Sequence, residues 1–316
     1  LVGDVGGTHA RFAVVDTSGP RPWRIQDRQD LAEAFPTFID ALKSYFARTP
    51  PKSKPAVAAI AVAGPVNAGT ARFTNRGWEI SESDLKQFGF ERAILVNDFE
   101  ALAFAAEVLV EKDLAVIGPD VKGRDEGTIT ILGPGTGFGV SCLARYGGRS
   151  VPMATEGGHM GFAPGNEAEL AALQAMWKQT GRVSVERILS GSGLENLYKT
   201  LEQLAAREPR ALSAADISSQ AMQNEAGCRA ALTMFCSIFG AVAGDLALAH
   251  GARGGVYIAG GITQKIQQFL IDSPFRKRFE DKGRLSSFVQ AIPTKLIVNA
   301  DVAMIGAARA GVTIAS

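Results

Sequence analysis

Leu1-Val2-Gly3-Asp4-Val5-Gly6-Gly7-Thr8-His9-Ala10-Arg11-Phe12-Ala13-Val14-Val15-Asp16 reads as strand, tight glycine turn, strand. Its turn, Asp4-x-Gly6-Gly7-Thr8, carries the residue types of a phosphate cradle. Without Cβ atoms, backbone amides converge on an anion, and the Thr8 hydroxyl adds a donor. A carboxylate beside phosphates is repelled unless a cation intervenes. Asp4 therefore makes sense near Mg²⁺, met through water, because Mg²⁺ keeps much of its hydration shell. A plain hairpin with an Asx-type turn accounts for the same residues equally well.

Working outward, a second strand, Thr128 to Leu132, enters the cluster Gly133-Pro134-Gly135-Thr136-Gly137-Phe138-Gly139, and the strand Val140 to Arg145 leaves it. This cluster fails the dinucleotide fingerprint, because Phe138 stands where the third glycine belongs. No Gly-Lys dipeptide occurs, so there is no Walker A loop. Phosphate binding here has to use backbone amides and hydroxyls. A glycine turn between two strands, repeated after about 130 residues, is what a two-lobed nucleotide-binding fold uses, one turn per lobe. A third cluster, Gly254-Gly255-Val256-Tyr257-Ile258-Ala259-Gly260-Gly261, places glycines at both ends of a short buried strand. That permits close approach of a flat ring such as adenine, although strand ends often carry glycine.

The remaining pattern is α/β. Ala56 to Ala63 is a continuous apolar strand broken by Gly64-Pro65, and such unalternating runs suit a sheet covered on both faces. Ala93 to Val96 is another, ending in Asn97-Asp98 before a helix from Glu100 to Val110. Apolar spacing predicts helices at 36–47, 166–178, 194–206, 214–223 and 226–249. Strands are expected at 255–259 and 292–298, with Asp301 capping a helix to Ala310. The longest apolar run, Ala230 to Gly244, is shorter than the ~20 residues of a membrane span, and is read as a core helix.

Three further places carry chemistry. Asn97-Asp98 lies at the C-terminal end of a buried strand, the edge where open α/β sheets place ligands. A carboxylate there accepts the proton of an attacking hydroxyl, and Asn97 can bond a neighbouring hydroxyl; equally, Asp98 can simply cap the next helix. Glu156-Gly157-Gly158-His159 sets an acid and an imidazole around a glycine pair, leaving metal, acid–base and sugar-hydroxyl binding open. With three histidines in the chain and no HExxH, a His-rich metal site is excluded. Glu186 follows Ser184 in an expected first helical turn, where a carboxylate is favoured in any case. The mixed-charge stretch Arg276 to Lys282 reads as a solvated helix face.

Composition closes off other classes. The 316 residues carry 33 Lys+Arg against 32 Asp+Glu, a net charge of +1, which gives no reason to expect nucleic acid or an anionic membrane as partner. With 46% hydrophobic and 21% charged residues, the chain is ordinary for one large or two medium globular domains. Three cysteines without a CxxC pair argue against a disulfide framework or a Cys-rich zinc site. No secretory leader is read at the start, and a cytoplasmic location is expected.

The order of these motifs is more specific than any one of them. Asp4-x-Gly-Gly-Thr8, Asn97-Asp98, Gly135-Thr136-Gly137, Glu156-Gly-Gly-His159, Ser184-x-Glu186-Arg-x-Leu-Ser-Gly and Gly254 to Gly261 occur in turn, as does Phe275 to Gly283. Over essentially its whole length the chain resembles the bacterial ATP-dependent glucokinase family of the hexokinase/actin-like ATPase superfamily. The resemblance implies a two-lobed actin-like ATPase (ribonuclease H-like) fold with an interlobe cleft. The small lobe is expected at 1–108 plus 299–316 and the large lobe at 109–298. It further implies ATP-dependent phosphorylation of D-glucose at O6, the first step of intracellular glucose use. Asp98 matches the catalytic base. Asn97, Glu156, His159 and Glu186 match the glucose ligands. Gly3, Asp4, Val5, Gly6, Gly7, Thr8 and Gly135, Thr136, Gly137 match the two phosphate loops, and Gly260 and Gly261 the adenosine motif. Mg²⁺ and a cytoplasmic homodimer are implied as well. His9 departs from the asparagine usual in relatives. The related ROK sugar kinases and repressors often bind zinc through a cysteine cluster and a histidine; this chain lacks the cluster and a helix-turn-helix segment, so His159 is read as a sugar ligand. Kinases for another hexose or an N-acetylated amino sugar, or a sugar sensor without turnover, share most of these motifs.

Overall fold

The computed structural model describes the chain except residues 7–8, 20–22, 24, 32–34, 52–53, 74–76 and 316, and the side chains of residues 26 and 27. Gly7 and Thr8 of the first turn therefore lie outside the described residues. The chain separates into two compact units, Leu1–Asp113 with Asn299–Ser316, and Leu114–Val298.

In the first unit β1 (Val2–Val5), β2 (Ala10–Val14) and β3 (Gln26–Leu31) form an antiparallel meander. After α1 (Phe38–Arg48), β4 (Val57–Val62) pairs parallel to β1. A hairpin, β5 (Thr70–Phe73) and β6 (Trp78–Ser81), leads through α2 (Glu82–Phe88) to β7 (Arg92–Asn97), parallel to β4, and then to α3 (Asp98–Ala105). Among the described residues the sheet order is β3-β2-β1-β4-β7. β4 shows why its run does not alternate. Ala58, Ile60 and Val62 pack with Phe12, Phe38 and Tyr45 on one face; Ala59 and Ala61 pack with Phe104, Met304 and Ala308 on the other. Burial on both faces leaves no position for a polar side chain.

The second unit repeats the pattern. β8 (Leu114–Val116) is followed by β9 (Ile129–Pro134), β10 (Phe138–Tyr146) and β11 (Arg149–Thr155), the last three an antiparallel meander. Helices α4 (Glu167–Thr180), α5 (Gly191–Leu204), α6 (Ala214–Met222) and α7 (Ala226–Ala249) lead to β12 (Gly255–Ile258), parallel to β9. Short helices α8 (Gly261–Lys265), α9 (Gln267–Asp272), α10 (Phe275–Glu280) and α11 (Ser286–Gln290) precede β13 (Thr294–Ile297), parallel to β12. The order is β11-β10-β9-β12-β13-β8. α7 is apolar and long enough to cross a membrane, yet it is mostly buried in this unit's core, with Phe235, Ile238 and Phe239 fully covered. The chain then returns to the first unit as α12 (Val302–Ala315).

Two local expectations are corrected. The charged stretch 276–282 is not a solvated face. Arg276 is buried, donating to Glu280, to the carbonyls of Gln290 and Ile292 and to Thr294. Arg278 reaches the buried Glu169, and Lys282 reaches Asp245 and the Ala241 carbonyl. Phe275 and Phe279 in the same helix are fully buried, and they draw their charged neighbours inward with them. Glu186 does not open a helix; it lies in a turn segment, and α5 begins only at Gly191, capped by Ser190, whose Oγ accepts the Gly193 N–H at 3.0 Å.

Candidate active site

In the first unit the parallel strands end level. Val5 pairs with Val62, and Val62 with Asn97, so Gly6, which follows β1, and the Asn97-Asp98 pair share the C-terminal edge of the sheet. Two strand spacings put these ends about 10 Å apart. The helix cap falls to Asn97, not Asp98. Its Oδ1 accepts from the N–H groups of Phe99 (2.9 Å) and Glu100 (3.3 Å), while Nδ2 donates to the Gly64 carbonyl at 3.0 Å. Asp98 is the first residue of α3, and its Oδ1 takes a second bond from Phe99 N–H at 2.9 Å. Burial pushes the Asp98 carboxyl up to about 6; the Phe99 N–H opposes this and the nearby Asp4 carboxylate reinforces it. A carboxylate in that range is matched to proton transfer near neutral pH.

Asp4, inside β1, is raised above the usual carboxylate range by burial, against the pull of Arg11. Arg11 Nη1 donates to Asp4 Oδ2 at 3.2 Å, and its Nε to Asp30 Oδ2 at 3.2 Å; His9 Nδ1 meets Asp30 Oδ1 at 3.2 Å. None of the sequence motifs marks Arg11. The signal was there, because a hairpin pairing Val5 with Ala10 sets Asp4 opposite Arg11. Among the described residues no group of three or more His, Cys, Asp or Glu side chains surrounds a metal position. A single carboxylate suits a cation carried mainly by nucleotide phosphates and met through water, so Asp4 fits Mg²⁺ in that role.

In the second unit the turn at Gly135–Gly137 joins β9 to β10, the counterpart of the turn between β1 and β2. Gly260 packs against Pro134, the residue just before the turn. At φ +106° it takes a conformation open to glycine, and a Cβ there would lie 2.2 Å from the Pro134 carbonyl oxygen. The Gly260-Gly261 motif and the Gly135–Gly137 turn are thus brought together at the ends of parallel strands β9 and β12.

Glu156 caps and His159 ends a single 3₁₀ turn, Gly157–His159. His159 Nε2 lies 3.8 Å from Glu156 Oε2, and their side chains are 60% and 82% exposed, so neither is a core group. The segment is pinned from behind. A Cβ on Gly158 would lie 2.1 Å from the Phe138 carbonyl oxygen, and the Gly158 carbonyl accepts the Glu186 N–H at 2.9 Å. Val185 N–H donates to Met160 O at 2.9 Å, and Phe162 N–H to Val183 O at 3.1 Å. These bonds carry Glu186 to the 3₁₀ turn. Thr136, His159 and Glu186 line one cavity of about 380 Å³ with Arg182, Ser184 and Asn196. Arg182 Nη2 donates to the His159 carbonyl at 2.5 Å; nothing in the sequence around it had marked it.

A family model described as Glucokinase matches residues 1–313. Glucokinases from Caulobacter sp. (strain K31) and Caulobacter vibrioides (strain NA1000 / CB15N) are 46% identical over 309 residues and 47% identical over 311. Each alignment covers 98% of this chain and 93% of the relative. The crystal structure of a glucokinase from an Antarctic psychrotroph superposes with a TM-score of 0.91 at 36% identity, covering 99% of this chain and 98% of that one.

Proposed function

The chain belongs to the glucokinase family, with its actin-like ATPase fold, and from that premise we propose that it transfers the γ-phosphoryl group of ATP to O6 of D-glucose with Asp98 as the base. The observation that carries the assignment of the base is the half-buried Asp98 carboxyl at the sheet edge, raised to about 6. In the step, the O6–phosphorus bond forms, the bond from phosphorus to the β,γ-bridging oxygen breaks, and the O6 proton passes to Asp98. Phosphoryl transfer runs through a loose transition state, so the protein's work is positioning and charge stabilisation. Asn97 orients α3 through its cap and stands beside the base, where its amide meets a sugar hydroxyl. Glu156, His159 and Glu186 bond the other hydroxyls, and a site built for hydroxyls rejects analogues lacking them.

Gly3, Val5, Gly6, Gly7 and Thr8 and the Gly135–Gly137 turn are assigned to the phosphates, Gly260 and Gly261 to the adenosine. Mg²⁺, when bound, would neutralise phosphate charge, and Asp4 would hold it through water. The two units are taken as the small and large lobes of the kinase, and the family likeness supports a cytoplasmic homodimer. Replacing Asp98 by Asn tests the assignment. The expected result is a loss of kcat of at least about 100-fold, with glucose affinity by calorimetry little changed. Turnover close to that of the unmodified enzyme contradicts it.

A further inference from the structure

The Gly135–Gly137 turn is held by one neighbouring stretch, residues 186–191. At its far end the Phe138 N–H donates to Glu186 Oε2 at 2.8 Å. At its near end the Gly135 carbonyl accepts the Gly191 N–H at 3.0 Å. Within the turn, Gly135 N–H closes on Gly137 O at 2.8 Å. A Cβ on Gly137 would lie 2.4 Å from Glu186 Oε2, so the carboxylate rests directly on the turn's backbone. The stretch is itself anchored, Glu186 N–H to Gly158 O and Leu189 N–H to Val185 O, at 2.9 and 2.8 Å. Glu186 also lines the cavity shared with Thr136 and His159.

Two glycines leave a turn many backbone states, and fixing one of them needs outside contacts. A hydrogen bond from a backbone N–H to an ionised carboxylate is among the stronger ones available. We infer that Glu186 is a positioning residue for the phosphate turn as well as a sugar ligand. One carboxylate then ties the shape of the nucleotide site to the sugar site. The inference rests on Gly135–Gly137 being a phosphate turn.

The test is the Kd of a non-hydrolysable ATP analogue, measured by calorimetry with Mg²⁺ and without sugar. Glu186→Ala is expected to weaken binding by about 5- to 20-fold. Glu186→Gln, whose amide oxygen still accepts from Phe138 N–H, is expected to restore most of it. Both variants weaken glucose binding, and Glu156→Ala weakens glucose binding alone. Should the alanine variant fold poorly, Glu186→Asp, one methylene too short for Phe138 N–H, carries the same expectation. An unchanged analogue Kd in the alanine or aspartate variant overturns the inference. Thr136→Ala and Gly135→Ala separate the two ways of failing. If they weaken the analogue and Glu186→Ala does not, the turn binds phosphate but Glu186 does not position it. If they too leave the Kd unchanged, the phosphate-turn reading falls and the inference with it.

Discussion

Asp98, the proposed base, carries a cost in stability. Its folded pKa, about 6, lies above the ordinary aspartate value of about 3.9, so the folded state holds the proton more tightly than the unfolded one. The penalty is absent below the unfolded value, grows as pH rises through the interval, and is complete above about 6. Asp98→Asn is therefore expected to stabilise the protein at pH 8 by roughly 1–3 kcal/mol, with the gain vanishing near pH 4. Thermal unfolding of both proteins across that range checks this; a gain independent of pH contradicts it. The same shift predicts that kcat/KM falls tenfold per pH unit below about 6, as the base protonates. The dipeptide was legible in the sequence as a strand-edge pair. Its division of labour was not, since Asn and Asp are both good caps, and which one turns toward the orphan N–H groups depends on backbone angles.

At the level of elements, the strand–glycine turn–strand repeat was readable because short apolar runs and Gly clusters are local signals. The β1–β2 and β9–β10 pairs bear it out, each with a parallel strand at its side. α10 was misread because charges three and four apart look alike on a solvated helix and on one drawn under by buried phenylalanines. Only the approach of Ile292 and Thr294 decides the matter. Arg276→Leu leaves Glu280 and these acceptors without their donor, and is expected to destabilise by about 3–5 kcal/mol. Lys277→Ala, at an exposed position of the same helix, should stay within about 0.5 kcal/mol. Urea denaturation distinguishes them, and equal small effects contradict the buried network. Glu186 shows the opposite gap. Its sequence context suggested a helix start, whereas bonds to Phe138 and Gly158, distant in sequence, set its place.

For the molecule as a whole, the chain leaves its first unit after Asp113 and returns at Asn299. Met304, Ala307, Ala308 and Ala310 of α12 fill the face of the first sheet opposite α1. No local signal announces that return; it followed from the family likeness. Ending the chain after Val298 uncovers Val2, Ala59 and Ala61, so the first unit is expected to become protease-sensitive while a fragment spanning 114–298 persists. Loss of both units together contradicts separate cores. The proposed sugar ligands were legible only as a set, because Glu156, His159 and Glu186 each have ordinary local explanations. The most direct test of the whole account is ADP release with Mg²⁺ and ATP across glucose, fructose, mannose, galactose and N-acetylglucosamine, with the product identified. The account predicts turnover strongly favouring glucose and yielding glucose 6-phosphate; preference for another sugar, or binding of glucose without ADP release, contradicts it.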